Sequence, residues 1–144
     1  MLSYSIRNHQ LKLRKIDSMS LQNLDPTYLE TCRNALSQEQ SKSLAETDHW
    51  AHVDRTQVHA DWDALYKTLA GVIDTSTASD THIQELLAQH YAIACRFYTP
   101  SPAAYLGMAL FYQDNPGMRD FHNAYHPNMV NFLGDAMCVY AAKL

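Results

Sequence analysis

Eight histidines are the first residues of this chain whose type could do chemistry. His49 and His52 lie three apart, His59 follows seven later, and His122 and His126 are four apart, a spacing that shares one helix face. Zinc or a di-metal pair in a helical bundle needs three or four such groups converging from facing helices. The sequence has no HExxH motif and no Glu-x-x-His pair on two helices, and His126 precedes Pro127, which turns it away from helical geometry. The histidines therefore read as surface or hydrogen-bonded groups, and neither a metal nor a cofactor is expected. His90 falls on an apolar helix face. It reads first as a core histidine satisfied by a carbonyl or hydroxyl, and second as a polar anchor in a ligand cleft.

Nucleophilic catalysis finds no support. There is no GxSxG elbow, and Cys95 and Cys138 fall within helical patterns, where buried inert thiols are the norm. Asp61 and Asp63 occupy different helix faces and read as solvated carboxylates. With four glycines and no GxGxxG or GxxxxGK[ST] loop, nucleotide-fold enzymes are excluded as well. The richest chemistry is aromatic and sulfur-bearing. Such residues, among them Phe97, Tyr98, Tyr105, Met108, Phe111, Tyr112, Phe121, Tyr125, Met129, Phe132, Met137 and Tyr140, crowd into 44 positions. Core packing accounts for most of them, but each tyrosine hydroxyl needs a partner, and a cleft lined by tyrosine and methionine suits a flat, aromatic, amphipathic ligand.

The elements that must position these residues are helical throughout. Leu2, Ile6, His9, Leu13 and Ile16 form a seam over two heptads, either the end of a dimerisation helix or an ordinary amphipathic helix. Asp25-Pro26 reads as N-cap and first-turn proline of a helix through Tyr28, Leu29, Cys32 and Leu36. Residues 37–47 are polar and read as a mobile connection or a weak helix. A long helix is expected from near Thr47, with Trp50, Val53, Trp62, Leu65, Tyr66, Leu69, Val72 and Ile73 on its inner face. Residues 74–80 are a loop by composition, and Asp80 can cap the next helix, which carries Ile83, Leu87, Ile93 and Phe97. Ser101-Pro102, Asn115-Pro116 and His126-Pro127 each mark a further helix start. The segment 102–112 is apolar nearly all round, the pattern of a central helix.

The chain of 144 residues, 47% hydrophobic and 18% charged, is one domain's worth. No apolar run approaches a membrane span, and the first residues lack the apolar core of a signal peptide. Three widely spaced cysteines fit reduced thiols and a cytoplasmic location. Four of the eleven lysines and arginines fall in residues 1–16 without an acid, which leaves seven against all fifteen acids in the rest. That acidic body offers no nucleic-acid-binding face. The basic start reads as a solvated helix face or tail, with contact to an anionic partner as the second reading.

Residues His90–Ala141 resemble the TipAS antibiotic-recognition domain. The resemblance lies in His90, the Arg96-Phe97-Tyr98 helix end, Tyr105 and Tyr112 on the central helix, Pro127, and the closing Phe132-Leu133-Gly134-Asp135-Ala136-Met137. It covers roughly residues 25–142, with 47–73 as the preceding long helix, and is strongest after 88. It implies an all-α, globin-like fold whose hydrophobic cleft binds bulky aromatic or peptide-like antibiotics, of thiopeptide-like or albicidin-like type. Such domains commonly follow a MerR-type DNA-binding part and a dimerisation helix, for which this chain has no room. Residues 1–22 then stand as an amphipathic helix or the remnant of a dimerisation helix, able to form a homodimer through residues 1–20, and 23–144 as the antibiotic-binding domain. The resemblance implies either drug resistance by sequestration or the effector-sensing half of a transcription regulator, in both cases without catalysis. Trp62, Phe97, Tyr98, Tyr105, Met108 and Tyr112 are expected to border the cleft, with His90 and Arg96 as polar contacts. In the thiopeptide-binding prototype a cysteine on the central helix captures the drug; Gly107 stands at that position here, which implies reversible binding. A helical metal-dependent enzyme and a protein-interaction module using the N-terminal helix are the competing classes.

Overall fold

A computed structural model describes residues 20–144, and among them every regular element is a helix. The six α-helices are α1 (Pro26–Glu46), α2 (Arg55–Ala70), α3 (Thr81–Ala94), α4 (Pro102–Asp114), α5 (Pro116–Asn123) and α6 (Met129–Ala141). Short 3-10 turns lie at Leu21–Asn23 and Ile73–Thr75. The heptad seam and the proposed dimer contact of residues 1–20 lie outside the described residues, save for Ser20. The chain after it joins the helical body at once. Leu21 is buried, and its backbone N–H donates to the Asp135 carboxylate on α6 at 3.3 Å.

Three helix starts follow the same local chemistry. Asp25, Ser101 and Asn115 each place a side-chain oxygen on a free N–H of the first turn, at 2.7, 3.1 and 3.0 Å, and a proline with no N–H to leave unpaired comes next. The fourth expected start is displaced. Nδ1 of His126 accepts from the Asn128 N–H at 3.0 Å, which holds 126–128 as a turn, and α6 begins at Met129 rather than at Pro127. Asp80 stands at the N-cap of α3 but does not cap it. Its carboxylate accepts from the Thr77 N–H and hydroxyl and closes its own loop instead.

Two expectations for the first half are corrected. Residues 37–46 are neither a mobile connection nor a separate weak helix; they continue α1 as one helix of 21 residues. The helix expected from Thr47 is broken. Asp48, His49 and Trp50 have φ of 51°, 58° and 63°, a left-handed turn, and α2 starts only at Arg55, capped by Asp54. Left-handed backbone costs about 1–2 kcal/mol per non-glycine residue, so the turn must be held from outside. Trp50 Nε1 donates to Ser43 Oγ at 2.9 Å, its backbone N–H donates to Thr47 Oγ1 at 3.1 Å, and Arg55 Nη2 donates to the His49 carbonyl at 2.8 Å.

The central helix is α4, as its composition suggests: seven of its thirteen residues are buried, and it packs against α1, α5 and α6. It runs antiparallel to α1. Arg33 pairs with Asp114 at 2.9 Å near one end, and the Glu39 carboxylate takes the Ser101 N–H at 3.0 Å and the Ser101 hydroxyl at the other. Between these ties the helices touch at Gly107, where a Cβ would stand 2.4 Å from the Cys32 carbonyl oxygen and 2.7 Å from Leu36 Cβ. The close approach that Gly107 permits is what lets α1 cover α4.

Candidate functional site

A cavity of about 190 Å³ opens beside α4. α1 supplies Leu36 and Gln40, and the left-handed turn supplies Trp50. Trp62 comes from α2, Ala94 from the end of α3, and Phe97, Tyr98 and Pro100 from the segment after it. Met108, Phe111 and Tyr112 of α4 and Met118 of α5 complete the wall. None of these twelve side chains carries a formal charge. The rings are ordered: Trp62 stacks on Phe97 with centroids 6.1 Å apart and planes 16° apart, and Trp50 meets the Phe97 ring at 5.0 Å edge to face. An apolar cavity of about 150 Å³ holds a benzene ring, so this space takes one aryl group with a small substituent.

Behind the wall lies a buried polar chain. The Tyr105 hydroxyl is 2.8 Å from His90 Nδ1, and His90 Nε2 is 3.2 Å from the Tyr66 hydroxyl. That hydroxyl is 3.2 Å from His122 Nε2, and His122 Nδ1 is 2.7 Å from the Met118 carbonyl. The carbonyl can only accept, so His122 Nδ1 carries a proton, and with both rings neutral the rest of the order follows. His122 Nδ1–H donates to Met118, Tyr66 O–H donates to His122 Nε2, His90 Nε2–H donates to Tyr66, and Tyr105 O–H donates to His90 Nδ1. Both histidines must be neutral for this arrangement, and burial keeps them so. Desolvation, with a smaller push from His122, brings His90 down to about 3. His122 is lowered by burial, partly opposed by its bond to Met118. Tyr66 and Tyr105 are pushed well up by burial.

The residues singled out from sequence divide accordingly. Trp62, Phe97, Tyr98, Met108 and Tyr112 come together on the cavity wall. His90 and Tyr105 do not line it. Both are fully buried, because positions 90 and 105 face the junction of α2, α3 and α4, and they brace the wall from behind, with the His90 ring 5.8 Å from that of Trp62. Arg96 points away, pairing with Asp61 of α2 at 2.6 Å over a shallow hollow on the outer surface. Asp61 and Asp63 are solvated carboxylates, 33% and 44% exposed, that also act as ties: Asp63 accepts from the Tyr125 hydroxyl at 2.6 Å and pairs with Lys67 at 2.9 Å. Hydrogen bonds from Arg96 and Gln57 hold Asp61 below the usual carboxylate range, and those from Tyr125 and Lys67 do the same for Asp63.

Sequence reasoning misses Leu36, Gln40, Trp50, Ala94, Pro100, Phe111 and Met118. The one available signal for Trp50 is the Asp48-His49 pair, since aspartate and histidine are among the residues that tolerate left-handed backbone. The other histidines are spread out. His52 Nε2–H donates to the Arg96 and Phe97 carbonyls, both at 3.0 Å, and His126 pairs with Asp74 at 2.9 Å. Among the described residues no group of three His, Cys, Asp or Glu side chains could hold a metal ion. None of the three cysteines reaches the cavity wall; Cys32 and Cys138 are buried, and burial pushes the Cys138 thiol up to about 12. No helix of the described residues is long and apolar enough to cross a membrane.

Compared with known proteins, the chain matches the family model of the TipAS antibiotic-recognition domain over residues 31–140. No curated protein and no solved structure matches it.

Proposed function

The chain belongs to the TipAS antibiotic-recognition domain family, and on that premise we propose that its cavity takes an aromatic part of a bulky aromatic or peptide-like antibiotic, reversibly and without catalysis. The observation that carries this reading is the uncharged, ring-lined space beside α4. Nothing on its wall can act as acid, base or nucleophile at neutral pH, whereas stacked rings and two methionines suit dispersion and burial. Trp62, Phe97, Tyr98, Met108 and Tyr112 make the contacts. His90 and Tyr105 hold those side chains in place.

A cavity of about 190 Å³ is smaller than the roughly 300–1,000 Å³ of sites that engulf a drug-sized ligand. One ring inserts, and the rest of the molecule lies outside, across exposed Phe111 and along the α1–α4 groove towards Arg33 and Asp114. Covalent capture is not part of the reading. The capturing position of the resembling prototype is Gly107, and that point of the helix is filled by the backbone of α1. At the level of the cell, such binding serves resistance by sequestration or provides the effector-sensing half of a MerR-type regulator, with residues 1–20 as its dimer contact.

A thermal-shift screen against an antibiotic library tests the reading. A ligand present at 100 times its dissociation constant should stabilise the fold by about 2.7 kcal/mol. Intact-protein mass spectrometry after denaturation should show no retained ligand mass. A persistent adduct on any cysteine would refute reversibility, and a screen without a single shift would count against antibiotic binding itself.

A further inference from the structure

Trp50 stands on the cavity wall in a backbone conformation that its residue type avoids. Aspartate and histidine tolerate left-handed backbone, which accounts for Asp48 and His49, but a bulky residue at φ of 63° is an outlier. Strain of this kind clusters at ligand clamps and switch segments, and it persists only where the surroundings over-determine it. Around Trp50 the surroundings are a few polar ties. The indole N–H donates to Ser43 Oγ and the backbone N–H to Thr47 Oγ1, while the Thr47 hydroxyl donates to the Ser43 carbonyl at 2.6 Å. Across the turn, His52 donates to the Arg96 and Phe97 carbonyls through exposed bonds that water can replace. The Asp48 and His49 side chains, 93% and 87% exposed, add no packing. The indole itself is half-buried, edge-on to Phe97. Backbone strain thus stands against a handful of replaceable bonds. On the same wall, Trp62 Nε1 and the Tyr98 hydroxyl are buried without a hydrogen-bond partner, so the closed wall is not a fully satisfied one.

Resting on the reading of this cavity as the ligand site, we infer that Trp50 is its gate. In the closed state the turn is left-handed, and the indole is bonded to Ser43 and packed on Phe97. In the open state residues 48–50 relax to right-handed or extended backbone, the indole N–H leaves Ser43 for water, and the wall between α1 and Phe97 parts. α1 and α2 keep their places, because the strained residues fall between the two helices and absorb the change in φ and ψ. Trp62, Met108, Phe111, Tyr112 and Met118 are fixed on helices and stay where they are. The gate closes over the empty and the occupied cavity alike. It therefore sets how fast a ligand enters and leaves and not how tightly it is held, since only a difference in affinity between the two states would shift the equilibrium.

The test uses the full chain. It has two tryptophans, so Trp62→Phe leaves one indole N–H signal and assigns Trp50; every other measurement keeps Trp62 in place. In the ligand-free protein, relaxation dispersion of the Trp50 indole nitrogen should show exchange between a major and a minor state in microseconds to milliseconds. Ser43→Ala removes the acceptor of the closed state and should raise the minor fraction about fivefold. His49→Gly relieves left-handed strain in the closed state and should lower it about threefold. A thermal melt of each variant establishes that it is folded. Toluene is the access probe, followed by the line shapes of the Met108 and Met118 methyl signals. Ser43→Ala should speed its entry and release, His49→Gly should slow both, and the dissociation constant should move by less than about twofold in either. A Trp50 indole without exchange in all three proteins overturns the gate, as does toluene exchanging at one common rate. A dissociation constant that changes while the entry rate does not makes Trp50 a contact and not a gate, and overturns the inference while upholding the cavity. Toluene that binds none of the three proteins overturns the site reading, and the gate falls with it.

Discussion

A hydroxyl that finds no partner should be better replaced by hydrogen when the site is empty. Tyr98→Phe is expected to raise the stability of the ligand-free protein by about 1 kcal/mol, because the desolvation cost of the orphan disappears and the ring remains. Urea unfolding measures it, and a loss of ligand-free stability would show that the hydroxyl has a partner after all. Gly107 makes the opposite case. Ala at 107 would force its Cβ against the Cys32 carbonyl, so Gly107→Ala should cost about 3 kcal/mol by overpacking, visible as a lower urea midpoint. Gly107→Cys should be destabilised likewise, so the thiol cannot simply be restored to that position. At this scale the sequence is partly legible. His90 reads as a core histidine needing a hydroxyl or carbonyl, and it has two hydroxyls. Its partners Tyr66 and Tyr105 lie 24 and 15 residues away, however, and only folding brings them together. For the same reason Tyr105 reads as a cleft residue: its aromatic spacing on α4 does not say which of two apolar faces is the cavity.

Helix starts are legible because capping is local. A side-chain oxygen, a proline and a free N–H lie within four residues at Asp25, Ser101 and Asn115, and no distant contact is needed to place them. The join between α1 and α2 is less legible, because Asp48 and His49 tolerate a left-handed turn without requiring one. The turn exists because Ser43, Thr47 and Arg55 hold it and because Trp50 gains the Phe97 ring. It should therefore be improvable. His49 has its side chain in solvent and φ of 58°, so His49→Gly removes a left-handed penalty at little contact cost. After the extra chain entropy of glycine, a gain of about 0.5–1 kcal/mol remains. Thermal or urea unfolding reads it; a loss of similar size would mean that the exposed ring contributes more than its backbone costs.

At the scale of the whole molecule, the polar chain joins α2, α3, α4 and α5 through two neutral histidines, and that makes the fold acid-sensitive in a defined window. In the unfolded chain a histidine takes up a proton near its ordinary value of about 6.5, whereas His90 in the fold resists protonation until about 3. Between these limits the unfolded state binds the extra proton, so stability falls as the pH is lowered and is fully present above about 6.5. Each such group contributes a slope of about 1.4 kcal/mol per pH unit, so His90 alone removes about 2–3 kcal/mol between pH 6.5 and 4.5. His122, shifted in the same direction, adds to it. The lowered carboxyls of Asp61 and Asp63 also lose their stabilising ties in acid, but only as the pH falls through and below the carboxylate range, whereas burial raises the Asp135 carboxyl, which takes up its proton more readily in the fold and opposes the fall. Urea unfolding at half-unit steps of pH across that interval should give a steadily falling free energy, and His90→Gln, which titrates no proton, should flatten the fall. A flat profile in the unaltered protein would mean that His90 takes up its proton in the fold as readily as in the unfolded chain, against the burial that holds it neutral. A bound ligand should raise the whole curve without changing its slope, because the cavity wall holds no titrating group of its own in that range.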